Sequence, residues 1–506
     1  MTAIRHIGDV SAAQSETAQQ PWLQRTLLVL GAILVLRLVS LWFNSTELFF
    51  DEAQYWAWGE EPAFGYFSKP PMLAWIIAGV TGVCGNSEFC VRLMSPLMHS
   101  GTALAIYFLA ARLFDKRTGF WSAIVYATLP AVTLSSTLAS TDVPLVFFWS
   151  LALLAFLRFE ETGKTGWAVL LGVMLGAGLM SKYAMVYFLL CAPIYALAVP
   201  ERPHVLKRPA FWLALAIGGL LLVPNLVWNL QNGFATVGHT GENIGWDGRL
   251  HFGRFAEFFG SQFGVMGPIL FGIYLVAIFR LLREGMNRQQ LFLLCFSVPV
   301  LALIVVQSLL SKAYANWAAL TYVAATVLVT DLMINRIPDW WHRASLWLNG
   351  AVFAVIAIAV AFSAPGQLPL PDNLQPFDRM HGSRETAAAL AKQADGNSYP
   401  VILVDNRRLA SLMRYYLRER SERFASWRWE TVPADHFEML HAYQDSPEEP
   451  VLYATSRRNP HQIISSFRDV ELLGDVKPSA GELGHVWFYA LRGYAPAGST
   501  GAREGG

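Results

Sequence analysis

Long apolar runs recur along this 506-residue chain and leave few folds open to it. A membrane-crossing helix needs roughly 20 mostly apolar residues, with about 17 tolerated. About eleven stretches meet or approach that length: 25–43, 91–113, 119–135, 143–158, 167–180, 183–199, 210–229, 262–282, 290–310, 315–333 and 344–363. The fifth is short. Segment 71–84 is also apolar but brief, and reads as an interfacial or re-entrant piece. Only 15% of residues are charged, against about 25% in a soluble domain. Much of the surface therefore meets something other than water. The 18 Trp and 32 Phe suit side chains anchored at two bilayer interfaces. The expectation is an all-α polytopic membrane bundle.

The connecting loops carry an orientation signal, because Lys and Arg collect on the cytoplasmic side. Arg112, Lys116 and Arg117 share one connection, and Lys207 and Arg208 another. Arg280, Arg283 and Arg288 share a third, and Arg336 and Arg343 a fourth. With about eleven spans these are alternate loops, on the side of Arg5 and Arg25. The N-terminus is expected in the cytoplasm, and residues 1–20 are expected to be disordered rather than a signal peptide. The opposite loops include 44–90, with six acids against Lys69 alone. An odd number of spans puts residues 364–497 outside as well.

That tail changes composition. Pro365, Pro369, Pro371 and Pro376 punctuate its start, and no run in it is of membrane length. Residues 400–404, 450–453 and 486–489 read as strands, and 409–418 has helical spacing. A small α/β domain is expected over 364–497, with a disordered end at 498–506. The transmembrane module then covers 21–363, with 44–90 as its outer loop. Four cysteines are too few for a disulfide scaffold. Cys191 and Cys295 lie in apolar runs and read as buried thiols. Cys84 and Cys90 share a polar loop and could pair in an oxidising compartment. A net charge of +1 gives no field for nucleic acid.

Four constellations could carry chemistry. The first is 49–58, Phe-Phe-Asp-Glu-Ala-Gln-Tyr-Trp-Ala-Trp, followed by 65–71, Gly-Tyr-Phe-Ser-Lys-Pro-Pro. Asp51 and Glu52 could be helix N-terminal charges and Lys69 a snorkelling lysine. Alternatively, a carboxylate at the bilayer edge accepts a proton from an acceptor hydroxyl, and the lysine holds a phosphate. Tyr55, Tyr66 and their aromatic neighbours could stack on a sugar or lipid. The second is Ser140-Thr-Asp-Val-Pro144, where Asp142 could cap a helix, catalyse, or both. The third is Leu179-Met-Ser-Lys-Tyr183, where Lys182 stands between apolar stretches, and an ionisable group there is a functional hypothesis. Lys312 is a similar case. The fourth is the polar loop 229–254, holding His239 and Glu242, which suits either a binding loop or a solvated linker. No tight ligand spacing supports a metal. Gly-rich phosphate loops, GxSxG and CxxC are absent from the sequence. All these candidates fall on one face, and that face lacks nucleotides in cells. Chemistry there needs an activated donor already carried across, such as a lipid-linked sugar.

Phe50-Asp-Glu-Ala-Gln-Tyr-Trp with Tyr66-Phe-Ser-Lys-Pro-Pro resembles the first outer loop of bacterial GT-C glycosyltransferases. That group holds lipid A aminoarabinose transferase, rhizobial galacturonosyltransferases and protein O-mannosyltransferases. Ser140-Thr-Asp-Val-Pro-Leu, Leu179-Met-Ser-Lys-Tyr and Asn316-Trp-Ala-Ala-Leu-Thr-Tyr match its pattern in the same order. The match runs from about residue 25 to 335. It implies a GT-C bundle, a polyprenyl-phosphate-linked sugar donor, a glycolipid or protein acceptor, and inverting single displacement. Asp51 would be the catalytic carboxylate, with Asp142 positioning sugar or acceptor. Lys69 and Lys182 would neutralise the departing phosphate, and Glu52 would support Asp51. Where the acceptor is itself a phosphate, Asp51 need not act as a base. The phosphate leaves as an anion, so no metal is required by the chemistry. The competing reading is a flippase for a lipid-linked glycan. It would place charges near the midplane of broken helices and show internal repeats, whereas here charges cluster at loop edges and no repeat is visible.

Overall fold

The computed structural model describes residues 21–199, 205–364, 367, 371, 375–395 and 398–495, without the side chains of 242–244. The expected disordered ends, 1–20 and 498–506, lie outside these residues. Backbone polar groups in hydrocarbon must be satisfied within their own segment, so the apolar runs fold as helices. They are α1 (Trp22–Trp42), α2 (Phe50–Glu60), α3 (Met72–Cys84), α4 (Glu88–Arg92), α5 (Met94–Leu113), α6 (Lys116–Ala127) and α7 (Pro130–Ser135). Then follow α8 (Asp142–Thr162), α9 (Thr165–Ser181), α10 (Tyr187–Ala198), α11 (Pro209–Gln231) and α12 (Ala235–Ile244). The bundle closes with α13 (Phe252–Met266), α14 (Pro268–Glu284), α15 (Arg288–Cys295), α16 (Val298–Leu310), α17 (Thr321–Asn335) and α18 (Asp339–Ala361).

Among the described residues, six helical segments are long and apolar enough to cross a membrane: α1, α4–α5, α8, α11, α15–α16 and α18. Helices α13 and α14 make a seventh only if counted as one broken span, since they meet at 113°. The straight run expected over 262–282 is therefore corrected. Gly267 takes a left-handed φ of +93°, which suits glycine, and Pro268 has no N–H to continue the helix. The run 119–135 is split in the same way by Pro130, which starts α7. Segments α3, α9, 183–198 and α17 are apolar but shorter. Close helix packing uses small residues: a Cβ on Gly172 of α9 would meet the Ala214 carbonyl of α11 at 2.5 Å. Such approach drives association where the hydrophobic effect cannot. Cys191 and Cys295 are buried free thiols, and Cys84 and Cys90 form a disulfide with Cα atoms 5.7 Å apart.

Beyond the bundle come α19 (Ser383–Asp395), α20 (Arg407–Tyr416) and α21 (His436–Leu440), with strands β1 (Val401–Val404), β2 (Arg423–Ser426), β3 (Val451–Thr455), β4 (Phe467–Val476) and β5 (Val486–Tyr494). The sheet order is β2-β1-β3-β5-β4. β1 runs parallel to β2 and β3, and β5 antiparallel to β3 and β4.

The sheet region is not merely appended to the bundle. Leu48, Phe50, Trp56 and Trp58 of the outer loop share one apolar core with Leu409, Leu412, Met413 and Tyr415 of α20. Glu47 caps α19, accepting from the Ser383 N–H at 2.6 Å and the Arg384 N–H at 3.2 Å. The Leu48 N–H donates to the Tyr416 hydroxyl at 2.8 Å. Tyr415 donates to the Asn86 carbonyl at 2.6 Å. Glu61 pairs with Arg414 and, at 3.2 Å, with His441. Those two partners hold its carboxyl at about 2, so the carboxylate stays ionised at physiological pH.

Candidate active site

Helix α2 starts with Asp51 and Glu52 in its first turn, where the macrodipole favours carboxylates. Adjacent helical residues point about 100° apart at 3.6 residues per turn, and the two acids part company. Glu52 turns inward to a bidentate pair with Arg92, at 2.9 Å to Nε and 2.7 Å to Nη2. It also accepts from the Phe49 N–H at 3.0 Å and the Ala139 N–H at 2.8 Å. Arg92 goes on to the Thr46 and Glu47 carbonyls at 3.1 and 2.8 Å. Both side chains are buried, at 1% and 3% exposure. The carboxylate is thus satisfied by protein, and it ties α2 to residue 139, just before Asp142.

Asp51 faces the other way, with its side chain 36% exposed. Burial raises its pKa, while Arg407 and Lys69 oppose that rise. Arg407 Nη2 lies 3.3 Å from its Oδ1. Asp142 opens α8 and holds two partners. Lys182 Nζ, just beyond α9, is 2.7 Å from Oδ1. The Asn316 amide donates to Oδ2 at 2.6 Å. Lys69 completes the group. Burial lowers its pKa and Lys182 adds to that, while Asp142 and Asp51 oppose it. Among the described residues its ammonium makes no hydrogen bond or ion pair. Three cations (Lys69, Lys182 and Arg407) thus face two carboxylates, Asp51 and Asp142.

The other expected residues divide. Tyr55 lies one turn after Asp51 and is buried. Burial raises its pKa and Asp51 adds to this, so the phenol sits beside the cluster. Tyr66 is fully buried, stacked on Trp58 at 4.6 Å, and donates to the Trp58 carbonyl at 2.7 Å. Burial lifts it to about 12; its ring packs the loop and has no open face. His239 meets the Phe67 ring at 5.8 Å. Lys312 lies over the Tyr314 ring at 4.5 Å rather than in the cluster. The Glu242 side chain lies outside the described residues. Among the described residues no group of three His, Cys, Asp or Glu is placed to hold a metal.

Two members escaped the sequence reading. Asn316 stood in a motif already quoted, but its amide gave no charge signal. Arg407 comes from the sheet region, 356 residues from Asp51. The available hint was its position just past β1, since ligands of parallel sheets gather at the carboxyl ends of strands.

Carboxylates and surplus cations thus meet at one place in a helical bundle with membrane-length apolar segments. Residues 68–228 match the family model described as dolichyl-phosphate-mannose-protein mannosyltransferase. The chain is 37% identical to lipid A galacturonosyltransferase RgtD of Rhizobium johnstonii over 434 residues, covering 85% of this chain and 90% of the relative. It is 32% identical over 165 residues to undecaprenyl phosphate-alpha-4-amino-4-deoxy-L-arabinose arabinosyl transferase of Erwinia tasmaniensis, covering 31% of this chain and 28% of that enzyme. Its fold is similar to that of ArnT from Cupriavidus metallidurans bound to undecaprenyl phosphate, with TM-score 0.61 and 15% identity over 93% of this chain and 98% of that chain. The chain belongs to the GT-C glycosyltransferase family that includes the rhizobial lipid A galacturonosyltransferase. It is a membrane glycosyltransferase.

Proposed function

We propose that the protein moves a sugar from a polyprenyl-phosphate carrier to a hydroxyl of an envelope glycolipid, lipid A or its core. The single observation carrying this reading is Lys69, a half-buried ammonium that makes no hydrogen bond or ion pair among the described residues, set among Asp51, Asp142 and Lys182. A cation drawn partly out of water is stabilised by a counter-charge, and a lipid phosphate would supply one. The donor class follows the aminoarabinose transferase relative and the acceptor class the lipid A galacturonosyltransferase relative. The match to a protein mannosyltransferase model favours a protein acceptor as the second reading.

The acceptor oxygen attacks the anomeric carbon as the bond from that carbon to the phosphate oxygen breaks. The electron pair leaves with the phosphate, and the acceptor proton passes to Asp51. One displacement inverts the anomeric centre. Lys69 and Lys182 stabilise the charge gathering on the phosphate, fixed in advance so that nothing reorganises during the step. Asp142 holds Lys182 and Asn316 in position. The proposed arrangement has eleven crossings, a cytoplasmic N-terminus and the sheet region in the periplasm of a bacterial inner membrane. The loop charges support it, and the Cys84–Cys90 bridge in the outer loop suits an oxidising compartment.

Mass spectrometry of envelope lipids and proteins, with and without the gene, tests the reading. Loss of one sugar mass from a glycolipid is expected; loss from a protein would favour the second reading. Lys69→Met is expected to raise the donor KM about ten- to hundredfold, the worth of a hydrogen bond to a charged group. An unchanged donor KM would return Lys69 to a snorkelling role.

The pH profile follows from the two shifts. Below its pKa Asp51 carries a proton and cannot accept another. That pKa is raised, so the acid limb of kcat/KM should lie above the ordinary aspartate value of about 3.9. Above its pKa Lys69 is neutral. That pKa is lowered, so the alkaline limb should fall below about 10.4. Rate profiles in proteoliposomes check both limbs; an acid limb at or below the ordinary value would count against Asp51 as the base.

A further inference from the structure

Arg407 reaches the site from the carboxyl edge of the parallel strands. The chain leaves β1 at Asp405, and Asn406 caps α20 by accepting from the Leu409 N–H at 3.0 Å. Arg407 and Arg408 are therefore the first two residues of α20, where the helix terminus favours anions. Both lie over the Phe50 ring, at 4.8 and 5.4 Å. Arg408 is 3.2 Å from Glu482, which Arg379 also holds at 2.5 Å. Cations thus outnumber acids at this outer level too. A guanidinium carries five donors in a planar fork. Among the described residues the Arg407 side chain spends one of them, on Asp51. It is 32% exposed, so the rest of the fork is open to a ligand. The departing phosphate is met by Lys69 and Lys182, which leaves Arg407 without a role in that step.

We infer that Arg407, with Arg408 beside it, binds a second anionic group of the substrate pair, a carboxylate on the transferred sugar or a phosphate on the acceptor. The inference rests on the sugar-transfer reading above. A planar carboxylate or phosphate matches the guanidinium fork bidentately. This makes the sheet region a reader of substrate charge, and explains why α20 is locked to the outer loop through Tyr415 and Tyr416.

The test uses the full-length protein in proteoliposomes. One arm compares a polyprenyl-phosphate uronosyl donor with its neutral hexosyl counterpart. The other compares phosphorylated with dephosphorylated lipid A. In Arg407→Gln the kcat/KM ratio of anionic to neutral partner is expected to fall about ten- to hundredfold in one arm. That arm identifies the source of the anion. Arg407→Lys should restore part of the ratio, and Arg408→Gln should lower it less. Wild-type ratios in both arms for Arg407→Gln would overturn the inference, even with a lower absolute rate. If that variant does not fold, Arg408→Gln decides by the same ratios. Wild-type protein inert toward every donor would instead overturn the transfer reading itself.

Discussion

Asp51→Asn is expected to insert, fold and bind donor while transferring sugar about 10²–10⁴-fold more slowly, the usual worth of a positioned general base. The substitution keeps shape and hydrogen-bonding capacity and removes only the proton acceptor. Its fold should survive because the Asp51 side chain is half exposed and makes one ion pair, with Arg407 at 3.3 Å. Donor KM separates this role from that of Lys69. Loss confined to kcat marks a group acting only in the transition state, whereas Lys69→Met should raise donor KM as well. Full transfer by Asp51→Asn in vesicles would remove the residue from the mechanism and point to an acceptor that is already an anion.

Glu52→Gln, one residue along, is expected to fail for a different reason. It leaves Arg92 buried and uncompensated, and breaking a buried pair costs about 3–5 kcal/mol. The expected result is a steep fall in monodisperse protein after detergent extraction and a lower Tm. Because that pair joins α2 to residue 139, what survives should show disturbed geometry at both Asp51 and Asp142. Replacing both partners, as Glu52→Leu with Arg92→Met, should recover part of the folded yield, since an apolar pair leaves no stranded charge. A Glu52→Gln protein as stable as the wild type but slow would place Glu52 on the substrate instead.

Side-by-side acids with opposite duties mark where sequence reading reaches its end. Asp51, Lys69, Asp142 and Lys182 were legible because each stands at the edge of an apolar run, where a charge is conspicuous. Which way Asp51 and Glu52 point was not, because the 100° between them only acquires meaning once Arg92 is present on one side. Tyr66 looked like a stacking platform and is instead packed between Trp58 and His436. In the sheet, β1, β3 and β5 were readable as apolar runs. The two edge strands were not: β4 is exposed along most of its length, and β2 is only half buried. Edge strands meet one neighbour and water, so they carry less apolar pattern.

The sequence by itself determined the bundle of apolar helices and the loops that bear the acids and lysines. Both are local properties: a run of about 20 apolar residues needs no partner to declare where it belongs, and a charge beside it is visible in one dimension. Only the tertiary structure decided which charges meet. It broke 262–282 at Gly267, withdrew Glu52 into a buried pair, and left Lys69 without a hydrogen bond or ion pair among the described residues. It also brought Arg407 across 356 residues to Asp51. The physical reason is that pairing energy depends on distance and burial, and neither exists until the outer loop and α20 share one core.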